Sequence, residues 1–277
     1  MHTLYTTTMS LQIFCLSVVI TTIVATQGYG FILEALDENV NTISRPNNVK
    51  KPHRSYVNPS NPLSMKNAWV LVQLEQNNSK PVRVGDRVEF NCEITGSPTP
   101  SLHWIRGIKT ETKIKEILKK GIADVPWEGI TRVAGKLVID CVTPEDEGLI
   151  YCAGVAGREI QLASTFLRVD QSLKRTCQES NKPVINLNAK SILSNIGSTI
   201  IIPCRTSGNP RPEIYWLDNF EKRINFDNSR YSILENGDLL VEDIKWEDMG
   251  RYVCVAKSGD VEVSADTFLY PLKPELD

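Results

Sequence analysis

The sequence predicts an all-β protein of two tandem β-sandwiches, because one pattern of cysteines and tryptophans occurs twice at the spacing of a whole domain. Cys92 and Cys152 recur 112 and 102 residues later as Cys204 and Cys254. In each copy a tryptophan follows the first cysteine by twelve residues, at positions 104 and 216. A repeat of ~100 residues corresponds to one complete sandwich rather than to a solenoid unit.

The strand before each first cysteine has the alternation of a half-buried strand. Val88, Phe90 and Cys92 fall on one face, and the second copy repeats this alternation through Ile200 and Ile202. A disulfide from this face to the facing sheet, covered by a tryptophan of the next strand, is typical of immunoglobulin domains. The predicted fold class is therefore two tandem immunoglobulin-like β-sandwiches of the I-set type.

A D-x-G-x-Y-x-C run precedes the second cysteine, and it is complete only in the second copy, where it ends in Tyr252 and Cys254. Its tyrosine occupies the tyrosine-corner position, whose hydroxyl bonds to the backbone. In the first copy Ile150 stands there, and Tyr151 is displaced by one residue onto the opposite face of the strand. We expect the first domain to lack this hydrogen bond and to keep the fold.

The first copy also carries an insertion, because its two cysteines are 60 residues apart and those of the second copy 50. Within the inserted segment Ile114, Ile117, Leu118 and Ile122 recur at i, i+3, i+4 and i+8, which predicts one apolar face of a helix. Two interpretations remain open. The helix covers the sheet beneath it, or it presents an apolar partner-binding surface together with Trp127.

Length, charge and hydropathy favour a secreted protein. The chain has 277 residues and a formal net charge of −2, which gives no electrostatic case for binding nucleic acid. An apolar stretch over residues 11–25 predicts a cleaved signal peptide, residues 1–28, the alternative being an uncleaved signal anchor. No later apolar stretch favours membrane insertion, so we expect an extracellular location.

The rest of the chain divides by composition. Residues 29–66 are rich in Asn, Pro and charge and are predicted to form a disordered arm. Domain 1 is expected at 67–170, a linker at 171–182, domain 2 at 183–272 and a tail at 273–277.

Asn77 begins an N-glycosylation sequon. Whether strands of the two sandwiches pair edge to edge across the linker stays open, although exposed edges favour such pairing.

Cysteine usage agrees with an oxidising compartment. Seven cysteines are present, and six lie outside the predicted signal peptide. The repeat assigns the pairs Cys92–Cys152 and Cys204–Cys254, which leaves Cys141 and Cys177. We expect these two to pair and to hold the linker against domain 1, the alternative being free or intermolecular thiols.

Motifs of catalysis and of metal binding are lacking from the sequence. The three histidines, His2, His53 and His103, are accompanied by no nucleophile or metal-ligand motif. Cysteines held in disulfides cannot also bind zinc. The protein is therefore predicted not to be an enzyme and to use no cofactor and no metal.

One stretch of domain 2 is more specific than the immunoglobulin pattern. The run NGDLLVEDIKWEDMGRYVC, with Trp246 at its centre, and the later TF-x-YP ending resemble the insect imaginal morphogenesis protein-Late family, also called neural/ectodermal development factor. The resemblance covers both domains and is closer in the second. It implies a secreted protein that binds insulin-like peptide hormones and antagonises insulin signalling in growth and metabolism.

The resemblance also directs the choice of contact residues. Insulin-like peptides present an apolar receptor-binding face, so the expected complement is an apolar groove with a polar rim. The predicted hormone contacts are Ile117, Leu118, Ile122, Trp127 and Trp246, although a turn residue such as Trp246 can instead pack on its own domain. Two other functions are a neuronal adhesion or guidance ligand that binds cell-surface proteins, and a matrix component linked through unpaired cysteines.

Overall fold

The computed structural model describes residues 32–34, 68–75, 80–120, 129–177, 182–225 and 230–273. Its one α-helix in these ranges is α1, Glu111–Lys120, and two short 3-10 helices span Pro144–Asp146 and Trp246–Asp248. The strands up to the linker are β1 Ile32–Glu34, β2 Trp69–Leu74, β3 Val82–Val84, β4 Val88–Ser97, β5 Ser101–Arg106, β6 Ile130–Ile139, β7 Gly148–Ala156, β8 Glu159–Leu167 and β9 Val169–Lys174. Those after it are β10 Val184–Asn195, β11 Ile200–Ile202, β12 Cys204–Ser207, β13 Glu213–Leu217, β14 Tyr231–Ile233, β15 Leu239–Val241, β16 Gly250–Ser258 and β17 Val261–Leu272.

Each half of the chain folds into two facing sheets. In the first half β2, β4 and β6 face a sheet of order β1-β5-β7-β8, and β3 pairs with β9 at the side. In the second half β11, β15 and β14 face the ladder of β10, β17, β16 and β13, with β12 paired to β10. The predicted fold class, two immunoglobulin-like sandwiches, is confirmed by this arrangement.

The repeated cysteines and tryptophans lie in the two cores. The disulfides Cys92–Cys152 and Cys204–Cys254 join the facing sheets with Cα–Cα distances of 6.5 and 6.4 Å. Trp216 is fully buried, and its Nε1 donates a hydrogen bond to the Gly237 carbonyl at 3.0 Å. Burial alternates along β4 as the sequence predicts, so Phe90 and its neighbours two residues away point inward.

The two domains differ at the tyrosine corner. The Tyr252 hydroxyl donates to the Asp248 carbonyl at 3.0 Å in domain 2. In domain 1 Ile150 is buried in the core at this position, and it has no hydroxyl to donate. Tyr151 lies on the outer face of β7, in the apolar cluster beneath α1. The one-residue displacement has therefore moved the aromatic ring from the corner to the contact with the helix.

Strand pairing continues from one domain into the other, which answers the question that the sequence left open. Strand β10 pairs antiparallel with β6, from Leu187 opposite Gly135 to Leu193 opposite Ile130. A bulge between Ala189 and Ser191 shifts the register. On its other side β10 pairs in parallel with β17, so a single sheet runs β13-β16-β17-β10-β6-β4-β2 through both domains.

The apolar cores also meet at this junction. Leu187 and Ile201 of domain 2 belong to the same buried cluster as Phe90 and Leu137 of domain 1. Leu240, next to Ile201 in the adjacent strand, packs against that cluster. All three residues of β11 are buried for this reason: two face the core of domain 2 and Ile201 faces domain 1.

The linker and the arm depart from the expected boundaries. Strand β9 continues to Lys174, past the predicted end of domain 1 at residue 170, because it pairs with β3. Cys141 and Cys177 form a disulfide with a Cα–Cα distance of 5.3 Å. Residues 32–34 form a strand parallel to β5, so the expected disordered arm does not hold there. The predicted signal peptide, most of the arm, Asn77 and residues 274–277 lie outside the described residues.

Candidate functional site

The inserted helix α1 covers the outer face of the β5-β7-β8 sheet. Ile114 and Leu118 are buried against Ile105, Tyr151 and neighbouring apolar side chains. Its lysines, by contrast, lie mostly on the exposed face. The predicted helix is confirmed, and its apolar face is occupied by its own domain.

This packing corrects part of the predicted hormone-contact set. Leu118 is 6% exposed, so its side chain is not accessible to a partner. Ile117 is half-buried at the edge of the same cluster. Ile122 and Trp127 lie outside the described residues. The fifth residue, Trp246, belongs to domain 2 and contacts a different surface.

Trp246 packs beside the C-terminal end of β17, a strand of the sheet that runs through both domains. It begins the short 3-10 turn Trp246–Asp248, and it is 41% exposed. Its ring meets Tyr270 edge to face, with ring centroids 6.1 Å apart. The Lys273 ammonium lies 4.8 Å from the centroid of the same indole, a cation–π contact. Trp246 thus packs on its own domain and at the same time extends an exposed aromatic pair.

That pair belongs to an apolar surface on the outer face of the sheet. Tyr270 lies opposite Leu193 of β10, and Leu193 lies opposite Ile130 of β6. One step along, Phe268 lies opposite Ser191, which faces Arg132. Because residues opposite one another in a ladder share a face, these side chains project together from both domains.

The same rows continue through domain 1 to the edge of the sheet. Arg132 lies opposite Thr95, and Thr95 lies opposite Leu71 of β2. Trp69, two residues before Leu71, projects from the same face. We call this surface the junction face; its apolar members are Trp69, Leu71, Ile130, Leu193, Phe268, Tyr270 and Trp246.

The junction face has the size and rim of a binding surface. Five adjacent strands, β17, β10, β6, β4 and β2, carry it, and at a spacing of ~4.8 Å they span ~19 Å. All of its apolar members except the half-buried Leu193 are exposed. Charged groups lie within it and beside it: Arg132, in the row between Phe268 and Leu71, pairs with Glu93, and Arg251, next to Phe268, pairs with Asp266 at 3.0 Å. Exposed apolar patches rimmed by polar groups are typical of protein interaction sites.

Sequence reasoning missed six of the seven members. A signal existed in β17, where Phe268 and Tyr270 alternate with the buried Thr267 and Leu269. Large apolar residues on the outer face of a strand, in addition to those on its inner face, indicate that the outer face also makes contacts. No local sequence pattern predicts that Phe268 and Tyr270 share a surface with Ile130 or Leu71, because these residues are brought together only by the pairing of β10 with β6.

The described residues include one histidine, His103. Burial lowers the pKa of His103 to about 4, so its ring is neutral at neutral pH, with Nε2 2.9 Å from Ser101 Oγ. Within the same ranges no three His, Cys, Asp or Glu side chains gather as metal ligands. No helix among them is long and apolar enough to cross a membrane.

The turn that carries Trp246 is fixed by a buried carboxylate, Asp248. Arg230 donates to its two oxygens at 2.8 and 3.0 Å, Tyr231 Oη donates at 2.7 Å, and the Lys245 amide donates at 2.7 Å. Burial alone would raise the pKa of Asp248. The hydrogen bonds from Arg230, Tyr231 and the Lys245 amide together outweigh burial and hold this pKa below its ordinary value.

We expect Asp248→Ala to lower the free energy of unfolding of the protein by about 3 kcal/mol, because it leaves Arg230 without its buried partner. Since the folded pKa of Asp248 is lowered, its contribution is complete above pH ~4 and is lost as pH falls further. Urea unfolding at pH 7 and pH 3 measures both effects. The control Asp266→Ala removes an exposed partner of Arg251 and should cost below ~1 kcal/mol. Equal losses at the two pH values would contradict the account.

The family comparison agrees with the fold. An immunoglobulin domain model matches residues 71–154 and 182–258. The chain is 36% identical over 197 residues to neural/ectodermal development factor IMP-L2 of Drosophila melanogaster, covering 70% of this chain and 73% of that protein. It is 28% identical over 214 residues to Zwei Ig domain protein zig-3 of Caenorhabditis elegans, covering 75% of this chain and 82% of that protein.

A solved structure is similar over the whole two-domain unit. The crystal structure of neural ectodermal development factor IMP-L2 matches with a TM-score of 0.61 at 32% identity, covering 75% of this chain and 97% of that chain. The expected resemblance is confirmed by sequence and by structure. The chain belongs to the immunoglobulin superfamily and, within it, to the family of neural/ectodermal development factor IMP-L2.

Proposed function

We propose that the protein is a secreted binding protein, not an enzyme, that captures insulin-like peptides on the junction face and so antagonises insulin signalling. Membership of the IMP-L2 family supports the ligand class. Three disulfides support an extracellular location, since such bonds persist in oxidising compartments. The proposed route to that location is the signal peptide over residues 1–28.

The junction face is the observation that carries this proposal. Insulin-like peptides bind their receptors through an apolar face, and an apolar strip with a charged rim is its expected complement. Aromatic side chains are enriched among the hot spots of protein interfaces. Phe268, Tyr270 and Trp246 provide them from domain 2, and Trp69 provides a fourth from domain 1.

Titration calorimetry of the purified chain with an insulin-like peptide of the same organism tests the proposal. We expect one peptide per chain and a dissociation constant below ~1 µM, which corresponds to about −8 kcal/mol. Burial of the apolar face should give a negative heat-capacity change on binding. Absence of heat at micromolar concentration would overturn hormone capture.

A second function, as a neuronal adhesion or guidance ligand, is favoured by a different surface. Leu149 and Phe166 are paired across β7 and β8 and are exposed beyond the part of the sheet that α1 covers. With Ile108 they line an open apolar hollow on domain 1. If the protein acts in adhesion through this hollow, we expect it to bind neuronal surfaces and to lose that binding in Phe166→Lys. It should not bind insulin-like peptides.

A further inference from the structure

The two halves of the junction face meet where β10 lies against the start of β6. Gly129, the residue before β6, has a φ of 138°, a backbone conformation that favours glycine. An ideal Cβ built on Gly129 would lie 2.2 Å from the carbonyl oxygen of Leu193 and 3.4 Å from Cα of Ser194. Both atoms belong to the backbone of β10, so they cannot yield as the end of a flexible side chain can.

The position of this close approach matters for the surface. Leu193 is the member of the junction face that lies between Ile130 of domain 1 and Tyr270 of domain 2. A side chain at position 129 would press on the carbonyl of that same residue. It would separate β10 from β6 at the row that joins the two domains, and the apolar strip would be split there.

Two other glycines of domain 1, Gly135 and Gly148, lack this relation. A Cβ on Gly135, also in β6, would meet the side chain of Leu102 inside domain 1. A Cβ on Gly148 would meet nothing within 4 Å, although its φ of 153° is close to that of Gly129. Gly148→Ala is therefore a matched control, with a similar backbone conformation and no clash with domain 2.

We propose that Gly129 is a positioning residue for hormone capture: its missing side chain lets β10 dock on β6 and so joins the two halves of the junction face. The proposal rests on the proposed function for its ligand. A peptide that spans both halves binds only the docked arrangement, so peptide binding and strand docking stabilise each other.

The first measurement is amide hydrogen exchange on the full chain without peptide. In Gly129→Ala, exchange should become at least tenfold faster at the start of β6 and the end of β10. It should stay unchanged in β4 and β16, the core strands of the two sandwiches, and Gly148→Ala should leave the β6–β10 pair as in the wild type. Unchanged exchange at that pair in Gly129→Ala, or faster exchange in β4 and β16 as well, would overturn the local role of Gly129.

The second measurement is the affinity for an insulin-like peptide. It is combined with hydrogen exchange in the presence of peptide, which a purely structural role of Gly129 would not change. Gly129→Ala should weaken binding at least tenfold, and peptide should restore slow exchange at the β6–β10 pair. Leu71→Lys should weaken binding in the wild type and have little further effect in Gly129→Ala, because the domain 1 half is then already separated.

The outcomes separate this inference from the proposed function. If the wild type binds peptide and Gly129→Ala binds equally well despite faster exchange, the coupling fails and hormone capture stands. If the wild type binds no peptide, hormone capture and the coupling fail together. The exchange result without peptide still decides whether Gly129 holds the two domains in register.

Discussion

Phe268→Lys is expected to weaken the binding of an insulin-like peptide at least a hundredfold, about 2.8 kcal/mol at 1.4 kcal/mol per factor of ten. Phe268 is 46% exposed and lies on β17, at the domain 2 side of the junction face, between Ser191 of β10 and Arg251 of β16. The substitution removes an aromatic contact and places an ammonium group that the complex would bury without a partner. The loss of an aromatic contact together with the burial of an unpaired charge is among the most costly single changes at an interface.

The matched control for this substitution is Phe166→Lys. Phe166 is 53% exposed, but it lies on β8 in the opposite sheet of domain 1. It should leave the affinity within about twofold of the wild type. Ile130→Lys, on the domain 1 side of the junction face, should weaken binding as Phe268→Lys does. Calorimetric titration measures all three, and wild-type affinity in both Phe268→Lys and Ile130→Lys would show that the peptide binds elsewhere.

Leu187→Ala is expected to lower the free energy of unfolding of the whole protein by about 3 kcal/mol, within the range for a buried leucine. Leu187 belongs to domain 2 by sequence, is 4% exposed, and packs in the core cluster of domain 1. Because strand pairing and a shared core join the domains, we expect one unfolding transition. Its midpoint should fall by roughly 6–12 °C for a chain of this size.

Leu193→Ala serves as the control, since Leu193 lies on the same strand but faces outward and is only half-buried. It should cost below ~1 kcal/mol. Differential scanning calorimetry gives the number of transitions and their midpoints. Two separate transitions, of which Leu187→Ala moves only the one assigned to domain 2, would contradict the shared core.

Local sequence patterns were sufficient to predict the two sandwiches. The alternation of Val88, Phe90 and Cys92 predicts inward and outward positions correctly, because a strand has a period of two in any fold. The displaced Tyr151 predicts an altered corner in domain 1, and the isoleucine spacing predicts α1. Each of these depends on residues near one another in sequence.

The junction face depends on contacts that no local pattern encodes. Which edge β10 pairs with is decided by tertiary packing, through Leu187 in the core of domain 1 and the space left at Gly129. The bulge after Ala189 then reverses which residues of β10 face outward and brings Leu193 to the surface. Leu118 of α1 is not accessible as a hormone contact, because the apolar face of the helix packs on the β5-β7-β8 sheet.

Oxidative footprinting of the complex with an insulin-like peptide tests most directly whether one surface spanning both domains captures the hormone. Hydroxyl radicals modify exposed aromatic side chains, and Trp69, Trp246 and Tyr270 are each exposed on the junction face. Peptide at saturation should protect Trp69 of domain 1 together with Trp246 and Tyr270 of domain 2, and should leave Phe166 as reactive as in the free protein. Protection of Phe166 with unchanged oxidation of the other three would contradict the account.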